Sequence, residues 1–292
     1  MAIISVAPGR VNGTIALHDL PEGVMKASVL VVAGVLTVVV GASAQQRVPD
    51  SMTYANPALY AERKAEWLAR VEKMPDNVDV LEGAAMFFVI PDRALARELL
   101  ERARVLEPTN PRWVEQIAQI HRLNASRGDI IEAQFALSAL EQARALTPEG
   151  KRGLPTRLPM AALEAGDLIK ARTYAAQLLA EAPRSPRDWD YGNAIHEANV
   201  VLGRIAVVDG RIADAGRFLA AAGDTPGSPQ LNSFGPNMTL ARDLLQRGET
   251  ASVLAYFEQV RRFWKMGGER LDAWSAAVEA GRIPDFGGNL LY

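Results

Sequence analysis

The stretch Leu202–Ala222, LGRIAVVDGRIADAGRFLAAA, reads as two short helices folded back on each other at a glycine. Leu202, Gly203 and Ala206 share one helical face. Gly203 carries no side chain, so a neighbouring helix can come close there. Asp209-Gly210 ends the first helix, because glycine takes the left-handed conformation that a helix terminus wants. Ala215, Leu219 and Ala222 then begin a second apolar stripe, in steps of four and three residues. Taken alone, this pattern fits an antiparallel helix pair in any all-α domain.

The pattern recurs outward from this hairpin. A small–large–small stripe followed by proline is found at Ala96, Leu100, Ala103, Pro108 and again at Ala136, Leu140, Ala143, Pro148. Ala171, Ala175, Leu178, Pro183 is a third copy, and Val253, Phe257, Val260 is a weaker one without proline. In three copies a glycine stands five residues before the stripe: Gly166, Gly210 and Gly248. Upstream helices carry matching pairs at Ala84 and Phe87, Ile117 and Ala118, Leu202 and Gly203, and Leu240 and Ala241.

Between about Asp76 and Trp264 the set resembles the tetratricopeptide repeat, in which small and large apolar residues on two helices are followed by a proline. The endings ERARVLEPTNP, EQARALTPEG and AQLLAEAP carry the likeness. The resemblance implies an all-α fold of helix-turn-helix repeats stacked as an α-α superhelix. Stripe starts at 96, 136, 171, 215 and 253 depart from the regular spacing of about 34 residues, so irregular repeat lengths and loop insertions are expected. An unrelated helical bundle is the alternative. The run Phe234–Trp264 is also similar to tails of exported bacterial repeat proteins of unknown function, a likeness that names no activity.

The family's first helices line a concave groove for extended or helical peptides. Carried over by position, that groove is lined by Arg112, Glu115, Gln119 and Arg122, then Glu197, Val200 and Arg204, then Met238 and Arg242. Its arginines suit carboxylate or phosphate groups, because a guanidinium offers a planar fork of donors. An ordinary solvated helix face is the competing reading.

A formal net charge of −2 gives no basic field for nucleic acid. With no cysteine, disulfides, thiol catalysis and cysteine-based zinc sites are excluded, and three histidines leave little for metals. Residues 1–24 read as an upstream extension outside the fold. Residues 25–44 combine Met25-Lys26, an apolar run from Val29 to Val40 and Ala42-Ser43-Ala44, the marks of a secretory signal peptide. If residues 27–46 are retained they make a membrane anchor, although the run is shorter than the ~20 apolar residues of a spanning helix. Export to the periplasm or medium is the expectation. A linker at 45–57 leads into a helical domain at 58–292, capped by an amphipathic helix at 269–280. Within that domain Ala58–Met74 is expected as a helix with Trp67 and Leu68 inward, Asn124–Gln134 as an insert, and Ala221–Pro236 as the longest break.

Hydrolase elbows, phosphate-binding loops, dinucleotide fingerprints and HExxH are all missing, and no cofactor is expected. His196, with Glu197 beside it, reads first as a structural histidine and second as a proton-transfer or metal group. His121 sits at the inward edge of its helix. Trp189, Tyr191 and Asn193 form either a binding lip or a staple for an exposed link. The expected function is a non-enzymatic scaffold of the cell envelope that binds a protein or peptide in its groove. The alternative is a helical-toroid hydrolase acting on glycan or peptide through loop carboxylates, with Asp188, Asp190, Glu197 and Asp224 as the acids to test.

Overall fold

The computed structural model describes residues 54–125, 128–148, 155–182 and 190–291. The 1–24 extension, the 25–44 signal segment, most of the linker, Asp188 and Trp189 lie outside them. The described residues form thirteen α-helices and no strand, so the protein is all-α. They are α1 Pro57–Lys73, α2 Val78–Phe88, α3 Arg93–Leu106, α4 Pro111–Ala125, α5 Ile130–Leu146, α6 Leu158–Glu164 and α7 Leu168–Glu181. After these come α8 Tyr191–Val208, α9 Ile212–Gly223, α10 Pro229–Phe234, α11 Thr239–Leu245, α12 Thr250–Val260 and α13 Gly268–Glu279. Among the described residues, no helix is long and apolar enough to cross a membrane.

Local chemistry sets the boundaries. Asn56, Asn77, Asp92, Asp129 and Asp167 each accept backbone N–H groups at a helix start, satisfying donors that have no partner inside the helix. The three glycines placed before the stripes end α6, α8 and α11 with φ of 79°, 73° and 82°. In each case the next residue's N–H reaches five residues back: Asp167 to Ala162 at 2.9 Å, Arg211 to Ala206 at 2.8 Å, Glu249 to Leu244 at 3.1 Å. These are three copies of the same glycine-dependent helix stop.

Every residue of the five stripes is buried. Burying a side chain such as Leu219 or Phe257 stabilises by about 1.5–3 kcal/mol, so the stripes supply much of the apolar driving force. From α1 to α9 each helix packs on the next. Beyond neighbours in the chain, α6 packs on α8, α8 on α11 and α9 on α12. Among the described residues no helix makes extensive contact with one more than three places away. Gly203 is where α8, α9 and α11 meet: a methyl group there would collide with the Leu240 side chain and press on Phe218.

The apolar interior is divided in two. One core runs from Val71 to Ile120, and the other from Ala118 to Phe286. Helix α4 is the wall between them, with Trp113, Ile117 and Ile120 facing one core and Ala118 the other.

Three local expectations are corrected. Leu68 is 41 % exposed, because among the described residues α1 packs extensively only on α2. The second half of the expected insert is helical, since Asp129 caps α5 and starts it at Ile130. The expected break at 221–236 contains α10, started by Ser228 and Pro229, while α9 itself runs to Gly223.

Candidate functional site

Helix α4 presents Glu115, Gln119 and Arg122 on one face, at steps of four and three. That face opens onto a cavity of about 310 Å³. The apolar walls come from Met86 of α2 and Val89 just after it, Leu100 of α3, Ile120 of α4 and Leu140 of α5. The polar side is closed by Arg157 at the start of α6, Asp190 just before α8 and Gln230 of α10. A smaller recess of about 40 Å³ adjoins it, sharing Thr156, Arg157 and Gln230 and adding Asn193, His196, Glu197 and Asn237.

Two arginines from different helices converge on one acceptor. Arg157 Nη1 donates to Gln119 Oε1 at 2.7 Å, and Arg122 Nη1 approaches the same oxygen at 3.4 Å. Arg122 is buried, yet among the described residues its Nε makes no hydrogen bond and lies 4.0 Å from the Glu164 carboxylate. Burial, with Arg122 close by, lowers the Arg157 pKa to about 10. Glu197 makes no hydrogen bond among the described residues, and burial pushes its pKa up to about 7 against the pull of Arg122, Arg157 and Arg204. Glu115, on the rim, is raised in the same way.

The recess is otherwise satisfied. Asn193 donates to Asp190 and Gln230, each at 3.1 Å, and accepts from Ser228 Oγ at 2.6 Å. His196 Nδ1 lies 3.1 Å from the Ala222 carbonyl, and Nε2 accepts the Asn237 N–H at 3.1 Å. Both ring nitrogens are thereby held by backbone, which ties α8 to α9 and to the start of α11 and leaves neither free for a metal or a proton transfer. His121 Nδ1 meets Glu132 at 2.5 Å. Among the described residues, no group of three or more histidine and acidic side chains is placed to hold a metal ion.

The expected groove residues therefore separate. Glu115, Gln119 and Arg122 line the cavity, and Glu197 lines the recess. Arg112 lies beside them but is engaged, at 2.5 Å from buried Glu82 and with its guanidinium 5.3 Å from the Trp113 ring. Arg204 and Arg242 both turn to Asp243, at 2.9 Å and 3.5 Å. Val200 and Met238 are 0 % exposed and leave the set, because α8 is covered by helices on several sides and α11 packs against it. Of the acids tested for a hydrolase, Asp190 lines the cavity, whereas Asp224 is exposed near Arg262.

Arg157, Thr156 and Gln230 were not anticipated. They sit in a turn and a six-residue helix, where no periodic pattern exists to place them. Compared with known proteins, the chain matches no family model, and no curated protein matches it.

Proposed function

We propose that this chain is a non-enzymatic binding scaffold of the tetratricopeptide-repeat kind, exported to the cell envelope, that engages a protein or peptide on the face formed by α4. The observation that carries the reading is the polar edge of α4, which places Glu115, Gln119 and Arg122 together at the mouth of a cavity. Packing confined to helices near one another in the chain supports it, since such stacks present long continuous faces to a partner. The envelope location rests on the signal-like residues 25–44.

The test is crosslinking pull-down with the full chain from the envelope of its native host. Glu115→Arg, a charge reversal on the exposed rim, is expected to abolish capture of a partner that wild type retains. Arg217→Glu, at a residue paired with Asp214 on the exposed face of α9, is expected to leave it intact. Equal capture by all three proteins overturns the reading. A second reading, a hydrolase, draws on Glu197, whose pKa near 7 suits a general acid. Turnover of a cell-wall glycan or peptide by wild type, lost in Glu197→Gln, would favour it over the scaffold.

A further inference from the structure

We propose that the cavity beside α4 is a binding site for a free small organic acid, a single carboxylate carrying a branched or linear apolar group. This goes beyond the scaffold reading and does not need a protein partner. Three features carry it.

The first is a pair of guanidinium groups without a close ion pair, on which Glu164, Glu197 and Asp190 act electrostatically. Arg122 and Arg157 come together on Gln119, and neither makes an ion pair shorter than 4.0 Å among the described residues. Bringing two guanidinium groups together inside the protein costs free energy that an anion between them would offset. Arg122 in particular is nine-tenths buried and lines the cavity with its Nε making no hydrogen bond among the described residues, and a buried donor without an acceptor is rare in a finished structure. A carboxylate offers the planar pair of oxygens that such a fork recognises.

The second is the rest of the wall. Met86, Val89, Leu100, Ile120 and Leu140 give the cavity an apolar side, while Gln116, Thr156 and Gln230 add neutral polar groups to its lining. The ligand therefore has a charged end toward Arg122 and Arg157 and an apolar body toward α2, α3 and α5. The third is size and charge. About 310 Å³ lies at the small end of small-molecule sites. Asp190 and Glu115 also border the space, so a doubly charged phosphate meets repulsion that a single carboxylate largely escapes.

Glu197 gives the site a distinctive pH response. It faces Arg122 of α4, Glu164 of α6, and Arg157 and Arg204, and Asp190 acts on Arg157. A bound anion favours the protonated form of Glu197, so by linkage binding strengthens as pH falls through about 7. It weakens again only where the ligand's own carboxylate protonates.

The test is isothermal titration of the full chain with 4-methylpentanoate. Parallel arms use 4-methylpentanamide, inorganic phosphate and a short peptide ending in leucine with a free carboxylate. The expected result is saturable binding of the acid, with the amide and phosphate weaker by about tenfold or more. Arg122→Gln and Arg157→Gln each weaken acid binding by about tenfold. Glu197→Gln flattens the pH dependence between 6 and 8, and Arg217→Glu, at a residue that does not line the cavity, binds the acid as wild type does. Because Arg122 is buried, Met86→Trp serves as a second variant that fills the cavity with both arginines in place, and it is expected to bind nothing while keeping its helical circular dichroism. The proposal is overturned if acid and amide bind equally, if phosphate binds better than the acid, if the peptide binds more tightly than the free acid, or if folded Met86→Trp binds as wild type does.

Discussion

Trp264→Ala is expected to lower stability by about 3–5 kcal/mol, the usual loss when a fully buried aromatic ring is removed. Trp264 is 2 % exposed and is the hub of the C-terminal end. Its ring lies 5.7 Å from Trp274, which meets Phe286 edge-on at 5.0 Å, while Arg270 stands 5.9 Å away. Gly235 and Gly267 leave the space it fills, since a methyl group at either would collide with the indole. The chain end is fastened over this cluster: Asn289 donates to the Pro236 carbonyl at 2.9 Å and accepts from the Met238 N–H at 2.8 Å. Denaturant melts of Trp264→Ala and of Met266→Ala make the comparison. Met266 is 79 % exposed, so its loss should stay within about 0.5 kcal/mol. Because contacts are local, hydrogen exchange should quicken in α12 and α13 while α2 and α3 keep their protection. A loss below about 1 kcal/mol would mean that the cluster is not what closes this end.

The second large effect is a pair of opposed titrations on adjacent residues. His196 is held neutral, its pKa lowered from 6.5 to about 4 by burial. Between those values the unfolded chain takes a proton that the folded chain refuses, so acidification removes about 3 kcal/mol of stability. Glu197 runs the other way. Its pKa is raised from 4.5 to about 7, so over that range the folded chain holds the extra proton, and acidification adds about 3 kcal/mol. In wild type the two nearly cancel. Glu197→Gln should therefore lose about 3 kcal/mol more than wild type does between pH 7.5 and pH 4. His196→Ala should lose less on acidification than wild type, although it starts lower. It leaves the Ala222 carbonyl and the Asn237 N–H without their partner, at about 1–3 kcal/mol each. Urea midpoints of the three proteins across pH test this, and parallel curves would refute it.

Much of the architecture was legible because the residues that pack are periodic. The stripes at Ala96, Ala136, Ala171, Ala215 and Val253 are all buried, and Gly166, Gly210 and Gly248 all end helices in the left-handed conformation. Boundaries failed where exposure broke the period. Ile130, Ile131 and Phe135 are each more than half exposed, so the first turn of α5 shows no apolar face. The site was legible along α4, where Glu115 stays exposed, and at Asp190 and Glu197. On α8 the same rule misplaced Val200, because a helix covered on several sides has no single polar face to project. Arg157 escaped because its position depends on how a turn is folded, which spacing does not encode.

The division of the interior at α4 has a mechanical corollary. Drawn out by its two ends, such a chain yields section by section, giving a sawtooth of modest force peaks instead of one rupture. The segment before α4 should let go independently of the helices beyond it. A molecule lodged between Arg122 and Arg157 would act as a rivet across that joint, and the force needed to part it would report occupancy.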